Sequence, residues 1–272
     1  MKNSLNNNDF VLRLEENAMD SLVHGVEHYI GFIDEHNPTD LKYAILHVFH
    51  ALELFLKARL AKAHPLLIYQ KPEDGGIADN KANTVDFKSL IGRLRNVSVD
   101  LSRQNLVDLD SLRTIRNSIE HHRVEGSSQV IEDYVGKAMR FLKNFLQKEL
   151  GIILRERLDK DAYNTLSNVL DSYNERLERA KQELPDLQDK DGVPLYSLAI
   201  CEECLEETIV IPDPTSHDDT VHCFFCDAHF YVTVCERCGS FILSSAPSQR
   251  DVEEPELCSD CWDEMRQRIA DD

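Results

Sequence analysis

Residues 40–63 read "DLKYAILHVFHALELFLKARLAKA". Apolar side chains recur at helical spacing over most of the circumference, not along a single stripe. A helix that is apolar nearly all round has to be buried among other elements. Strand-like patterns occur only after residue 195. The stretch therefore predicts an α-helical bundle with 40–63 at its centre.

Working outward, residues 9–36 place Phe10, Leu14, Ala18, Leu22 (or Val23), Val26 and Ile30 on one helical face. Asn37-Pro38 ends that helix, and Thr39 is the expected cap of the central one. Beyond it, residues 64–84 hold Pro65, Pro72, Gly75 and Gly76 and read as a loop. Three more helices follow: "TVDFKSLIGRL" (84–94), capped by Thr84 or Asp86; "NLVDLDSLRTIRNSIEHH" (105–122), closed by Gly126; and "SSQVIEDYVGKAMRFLKNFLQKEL" (127–150), capped by Ser127 or Ser128. Residues 152–183 have weaker amphipathic spacing and Pro185 stops them. Strand signals follow in "ETIVIPD", "HFYVTV" and "SFILSS". The reading is multidomain: a helical bundle over 1–150, a connecting helix or arm over 151–184, and a small β-rich module over 195–272.

The charge agrees with that division. Residues 1–150 carry 19 Lys+Arg against 21 Asp+Glu, whereas 151–272 carry 11 against 28. No apolar run approaches the ~20 residues that cross a bilayer. The opening "MKNSLNNNDF" has no apolar core of a secretory leader. The expected location is the cytoplasm.

All eight cysteines lie between 201 and 261, as four C-x2-C pairs: "CEEC" (Cys201, Cys204), "CFFC" (Cys223, Cys226), "CERC" (Cys235, Cys238) and "CSDC" (Cys258, Cys261). The gaps between pairs are 18, 8 and 19 residues. The outer two match the spacing of four-cysteine zinc sites, so the expected cofactors are two structural Zn2+ ions. Sequential pairing is the simplest, 201/204 with 223/226 and 235/238 with 258/261; a cross-braced pairing also satisfies the spacing. Four thiolates fill the coordination sphere and leave no position for a reacting water. Disulfides are disfavoured without a secretory signal. Residues 199–272 hold 4 Lys+Arg against 18 Asp+Glu, which repels phosphate; the module reads either as a metal-stapled fold that only adds stability or as a protein-interaction or regulatory part, not as a nucleic-acid binder.

The helix at 105–122 carries the other unusual cluster, "RNSIEH" (116–121). Leu112, Ile115 and Ile119 mark its buried side, and Arg116, Asn117, Glu120 and His121 lie along the edge. An Arg116–Glu120 ion pair at i,i+4 explains part of this on structural grounds alone. A guanidinium beside an imidazole is also a set able to cleave RNA without metal: His takes the 2′-hydroxyl proton near neutral pH, and Arg holds the phosphate and its developing charge. His47 and His50, like His24 and His28, have metal-compatible helical spacing, but no carboxylate motif accompanies them and they read as core or surface histidines.

"RNSIEH" resembles the R-x4–6-H signature of the HEPN superfamily. The frame is similar too: an opening helix with "ENAMDSLVHGVEHY", a long apolar second helix "YAILHVFHALELFLKARL", and the motif on the helix before the last of the bundle. The resemblance covers roughly residues 8–150. It implies a metal-independent endoribonuclease whose two subunits face a shared cleft and leave 2′,3′-cyclic phosphate ends, often a toxin or an effector of antiviral defence. Carried over, Arg116 and His121 are catalytic and Asn117 supports them. A polar residue from the second helix is expected near the cleft, and Glu53 is the candidate; its structural alternative is a pair with Lys57. Lys88, Arg93, Arg95, Arg103, Arg113, Arg116 and Arg123 form the most basic stretch and are expected to line the cleft for an RNA substrate. The acidic module is then a regulator, able to cover that cleft as a phosphate mimic. The competing class is a non-catalytic dimeric adaptor that uses its cysteine module to bind protein.

Overall fold

The computed structural model describes residues 13–71, 82–121, 128–185, 197–211, 220–246 and 255–271. It is mostly helical, with small antiparallel sheets towards the C-terminus. The helices are α1 (Leu14–Glu35), α2 (Pro38–Ala63), α3 (Phe87–Asn96), α4 (Arg103–His121), α5 (Ser128–Phe145), α6 (Leu154–Arg157), α7 (Lys160–Glu183) and α8 (Ser259–Asp271). The strands are β1 (Ser197–Ile200), β2 (Glu207–Ile211), β3 (Thr220–His222), β4 (His229–Val234) and β5 (Phe241–Ser244). No described helix is long and apolar enough to cross a membrane.

Helix starts follow local chemistry. Arg13 N–H donates to the Glu16 carboxylate at 3.1 Å and opens α1. Asn37, not Thr39, caps α2: its Oδ1 accepts from Thr39 N–H at 2.9 Å, with Pro38 at the first helical position, where its fixed φ suits the helix. Asp86 caps α3 by accepting from Ser89 N–H at 2.9 Å. Gly126 and Ser127, expected around the α4–α5 junction, lie outside the described residues.

The central helix is central. α2 touches α1, α3, α4 and α5, and Ala44, Ala51, Leu52, Phe55, Leu56 and Leu60 are fully buried. α1 approaches it at Gly25, where an added Cβ would stand 2.8 Å from Val48 Cγ2 and 3.0 Å from Val48 N. Gly→Ala inside a helix ordinarily stabilises it by about 1 kcal/mol. Here the neighbour includes backbone, so Gly25→Ala is expected to destabilise the bundle by about 1–3 kcal/mol, read as a lower midpoint in urea with unchanged slope.

After α5 the chain makes a π turn over Leu146–Leu150 and reverses at Gly151 (φ 71°). Residues 151–174 belong with the bundle and do not stand apart as a connector. Leu154, Leu158, Ala162, Leu166 and Leu170 join its core, and Tyr173 is fully buried. The division into compact units falls after Asn174, inside α7.

The second unit takes the remainder of α7, where the Arg176 guanidinium stacks 5.0 Å from the Phe225 ring centre. Its sheets are β1-β2 and β3-β4-β5, all antiparallel. The three strand signals read from sequence are β2, β4 and β5; β1, β3 and the closing helix α8 went unread. β1 and β3 are only 4 and 3 residues long, too short to show a period.

Candidate metal centres and the polar edge of helix α4

The eight thiols gather into two groups, Cys201/Cys204/Cys223/Cys226 and Cys235/Cys238/Cys258/Cys261, each with its sulfurs within 4.8 Å of one another. The pairing is the sequential one. Three pairs share one local design. Leu205 N–H donates to Cys201 O, Asp227 N–H to Cys223 O, and Gly239 N–H to Cys235 O, each at 2.8 Å. The N–H of each leading cysteine donates to the carbonyl five residues on: Cys201 to Glu206 at 2.9 Å, Cys223 to Ala228 and Cys235 to Ser240 at 2.8 Å. Closing so tight a turn takes a left-handed residue after the second cysteine, and Leu205 (φ 58°), Asp227 (φ 60°) and Gly239 (φ 74°) supply it. Leucine is strained there by about 1–2 kcal/mol, a cost the turn accepts to aim two sulfurs at one point. The fourth pair opens α8 instead, where Trp262 N–H donates to Cys258 O at 3.0 Å.

Distances test whether zinc fits. A tetrahedral ion with Zn–S near 2.3 Å sets neighbouring sulfurs about 3.8 Å apart. Cys201–Cys226, Cys204–Cys223 and Cys238–Cys258 are each 3.6 Å apart. Thiols this close cannot ionise independently. Cys223 is held far below the ordinary thiol range by hydrogen bonds from Cys201 and Cys204, while hydrogen bonding with Cys201, Cys223 and Cys226 pushes Cys204 far up. In the second group Cys235 is lowered to about 6, chiefly by the Cys258 backbone, and Cys261 is raised to about 12 by burial. A dication removes the conflict by letting all four stay thiolates. Thr208 Oγ1 lies 3.1 Å from Cys223 Sγ, in the position of a hydroxyl that orients the ligand. The two groups suit two structural zinc ions. β4 joins them: Cys226 lies just before it and Cys235 directly after, so the centres occupy opposite ends of one six-residue strand.

In the bundle, Arg116 and Asn117 sit on the partly exposed edge of α4. Arg116 Nη1 donates to Asn117 Oδ1 at 3.0 Å and pairs with Glu120 Oε2 at 2.6 Å. The guanidinium rests 5.8 Å from the Phe49 ring centre on α2. Tyr134 of α5 is close enough to feel its charge; burial still raises that phenol far above its ordinary range, and its hydroxyl donates to Ile45 O at 3.2 Å. α2 and α4 thus both contribute to holding Arg116. Phe49 and Tyr134 were not singled out from sequence, since nothing local marks a packing partner on another helix. His121 is the last described residue of α4, and its side chain lies outside the described residues.

Glu53 pairs with Lys57 at 2.6 Å, and Lys57 Nζ also donates to Thr84 Oγ1 at 3.0 Å. Glu53 is one helical turn from Phe49, so both share an α2 face. Several members of the basic stretch are already engaged. Arg93 donates to the carbonyls of Leu67 (2.6 Å) and Tyr69 (2.7 Å), fixing the segment after α2, and Arg113 pairs with Asp110 at 2.7 Å. Arg123 lies outside the described residues. No known protein family, curated protein or solved structure matches this chain.

Proposed function

We propose that the chain is a metal-independent endoribonuclease of HEPN type that acts as a homodimer, with its two-centre cysteine module as a zinc-stapled regulatory part. The reading is carried by the pairing of Arg116 with Asn117 at 3.0 Å on a partly exposed edge of α4, with His121 one and a half turns further along the same helix. His121 takes the proton of the ribose 2′-hydroxyl and the 2′-oxygen attacks phosphorus. The bond from phosphorus to the 5′-oxygen breaks, the leaving oxygen takes up a proton, and a 2′,3′-cyclic phosphate remains. Arg116 holds the phosphate oxygens as charge builds on them, and Asn117 fixes the guanidinium. The incoming phosphate replaces the Glu120 carboxylate as the partner of Arg116. Glu53 supports the cleft from α2, and no metal takes part in the chemistry.

A second reading has its own observation. Arg116 and Glu53 are each satisfied within their own helix, by Glu120 and Lys57, as on a face built for stability. On that reading the chain is a non-catalytic dimeric adaptor whose cysteine module binds protein.

One experiment separates them. The full chain and its His121→Ala variant are incubated with a mixed RNA pool in magnesium-free buffer without strong chelators, and 2′,3′-cyclic phosphate ends are counted. The nuclease reading expects such ends from the wild type and a fall of about 100-fold or more in the variant. No such ends from the wild type, nor from a chain ending near residue 184 that lacks the acidic module, hands the case to the adaptor.

A further inference from the structure

Away from both sites, α1 and α2 bring together a face rich in imidazole. His24 and His28 stand four residues apart on α1, and His47 of α2 reaches both: its ring centre is 6.0 Å from that of His24 and 5.7 Å from that of His28. Gly25, between the two α1 histidines, is what lets the helices approach this closely. Carboxylates do accompany these rings, contrary to the reading from sequence. Glu27 Oε2 lies 3.0 Å from His24 Nδ1, and Asp40 Oδ1 lies 2.8 Å from His28 Nδ1. Each contact sets a carboxylate against Nδ1 and leaves Nε2 as the ring nitrogen without that partner, the arrangement seen at metal-binding histidines. Asp20 Oδ1 lies 3.8 Å from His24 Nε2. The run His24-Gly-Val-Glu27-His28 also has the H-x-x-E-H spacing of a helical zinc-ligand pair.

The geometry points to a third metal site, for a divalent ion of the zinc class, held by His24, His28 and His47 with a fourth position beside Asp20. Three imidazoles on a tetrahedral ion, with Zn–N near 2.0–2.1 Å, set their ring centres roughly 5 Å apart. The separations here are up to an ångström longer. Among the described residues only the thiol groups have donor atoms within 4.8 Å of one another, so closing this site takes rotation of side chains. Solvent leaves room for that rotation: the His24 side chain is 51% exposed and that of His28 34%. An ion there ties α1 to α2 beside the tight approach of Gly25 to Val48. His50, whose Nδ1 lies 3.0 Å from Ser21 Oγ, takes no part.

The test uses the full chain with both thiolate sites already zinc-loaded. Zinc is added, excess is removed by gel filtration, and metal per chain is counted; a melting curve with and without zinc is recorded alongside. The expected result is three zinc ions per chain, with the melting point raised by roughly 5 °C at a hundredfold excess over Kd. His24→Gln and His47→Gln should each hold two ions and lose that rise. His24→Gln matters most, because a half-exposed residue can be changed without upsetting the core. Two ions in the wild type, or a third ion retained in His24→Gln, overturns the site.

Discussion

Replacing Cys201 and Cys223 together by serine is expected to remove one zinc ion, not two, and to unfold the first half of the cysteine module while the second half keeps its metal. The two residues come from different C-x2-C pairs but serve one centre. A cross-braced arrangement would place them on separate ions and lose both. The effect is large because little else holds this half together. Its core consists of Ile209, Ile211 and Phe230 around Cys201 and Cys223, and its strands are 3 to 6 residues long. So small an apolar core cannot offset the ordering of its loops without a staple. Structural zinc contributes on the order of 10 kcal/mol or more at neutral pH, and that contribution is folding free energy. Metal counting by atomic emission, with amide spectra to show which half has lost its dispersion, reads the result. Loss of both ions in the double variant would refute the sequential pairing.

Asp108→Ala is expected to destabilise the bundle by about 3–5 kcal/mol, lowering its melting point by roughly 10 °C. Asp108 has no solvent exposure. It accepts from Arg140 Nε at 3.0 Å and Nη2 at 2.5 Å, a two-pronged pair from α5, and from Gln104 Nε2 at 2.9 Å on its own helix. Arg140 in turn lies 5.0 Å from the Tyr173 ring centre on α7. Removing the carboxylate takes the two-pronged anionic partner from a guanidinium that is mostly buried. Two residues along, Asp110 pairs with Arg113 in an exposed position, so Asp110→Ala should cost under about 1 kcal/mol. Urea unfolding of the two variants compares them directly, and equal costs would rule out the buried pair as the fastening between α4 and α5. The same helix carries Arg116 and Asn117, so loosening it should also lower whatever activity depends on them.

Legibility followed range. The Arg116–Glu120 and Glu53–Lys57 pairs could be named in advance because partners four residues apart on a helix meet whatever the fold around them. The cap of α3 was narrowed to Thr84 or Asp86, since capping is a contact across three residues. Thr39 was the wrong choice for α2 because Asn37, directly before Pro38, supplies the cap with the proline φ already set. Asp108 gave no warning: in sequence it is one of several acidic residues on an amphipathic helix, and only Arg140, on the next helix, makes it a buried ion. His47 was passed over for the same reason. Its partners lie on α1, about twenty residues earlier, and no spacing rule reaches that far.

The sequence by itself determined the helices of the bundle but not α8, that the central one is buried, and that the cysteine pairs of identical spacing suit metal knuckles, because hydrophobic period, capping and C-x2-C turns all act within a few residues. The tertiary structure decided which knuckles share a centre, that 151–174 packs with the bundle, and which polar side chains are buried, ion-paired or gathered into an imidazole face. Those outcomes depend on which surfaces meet, and long-range packing, not local propensity, brings them together.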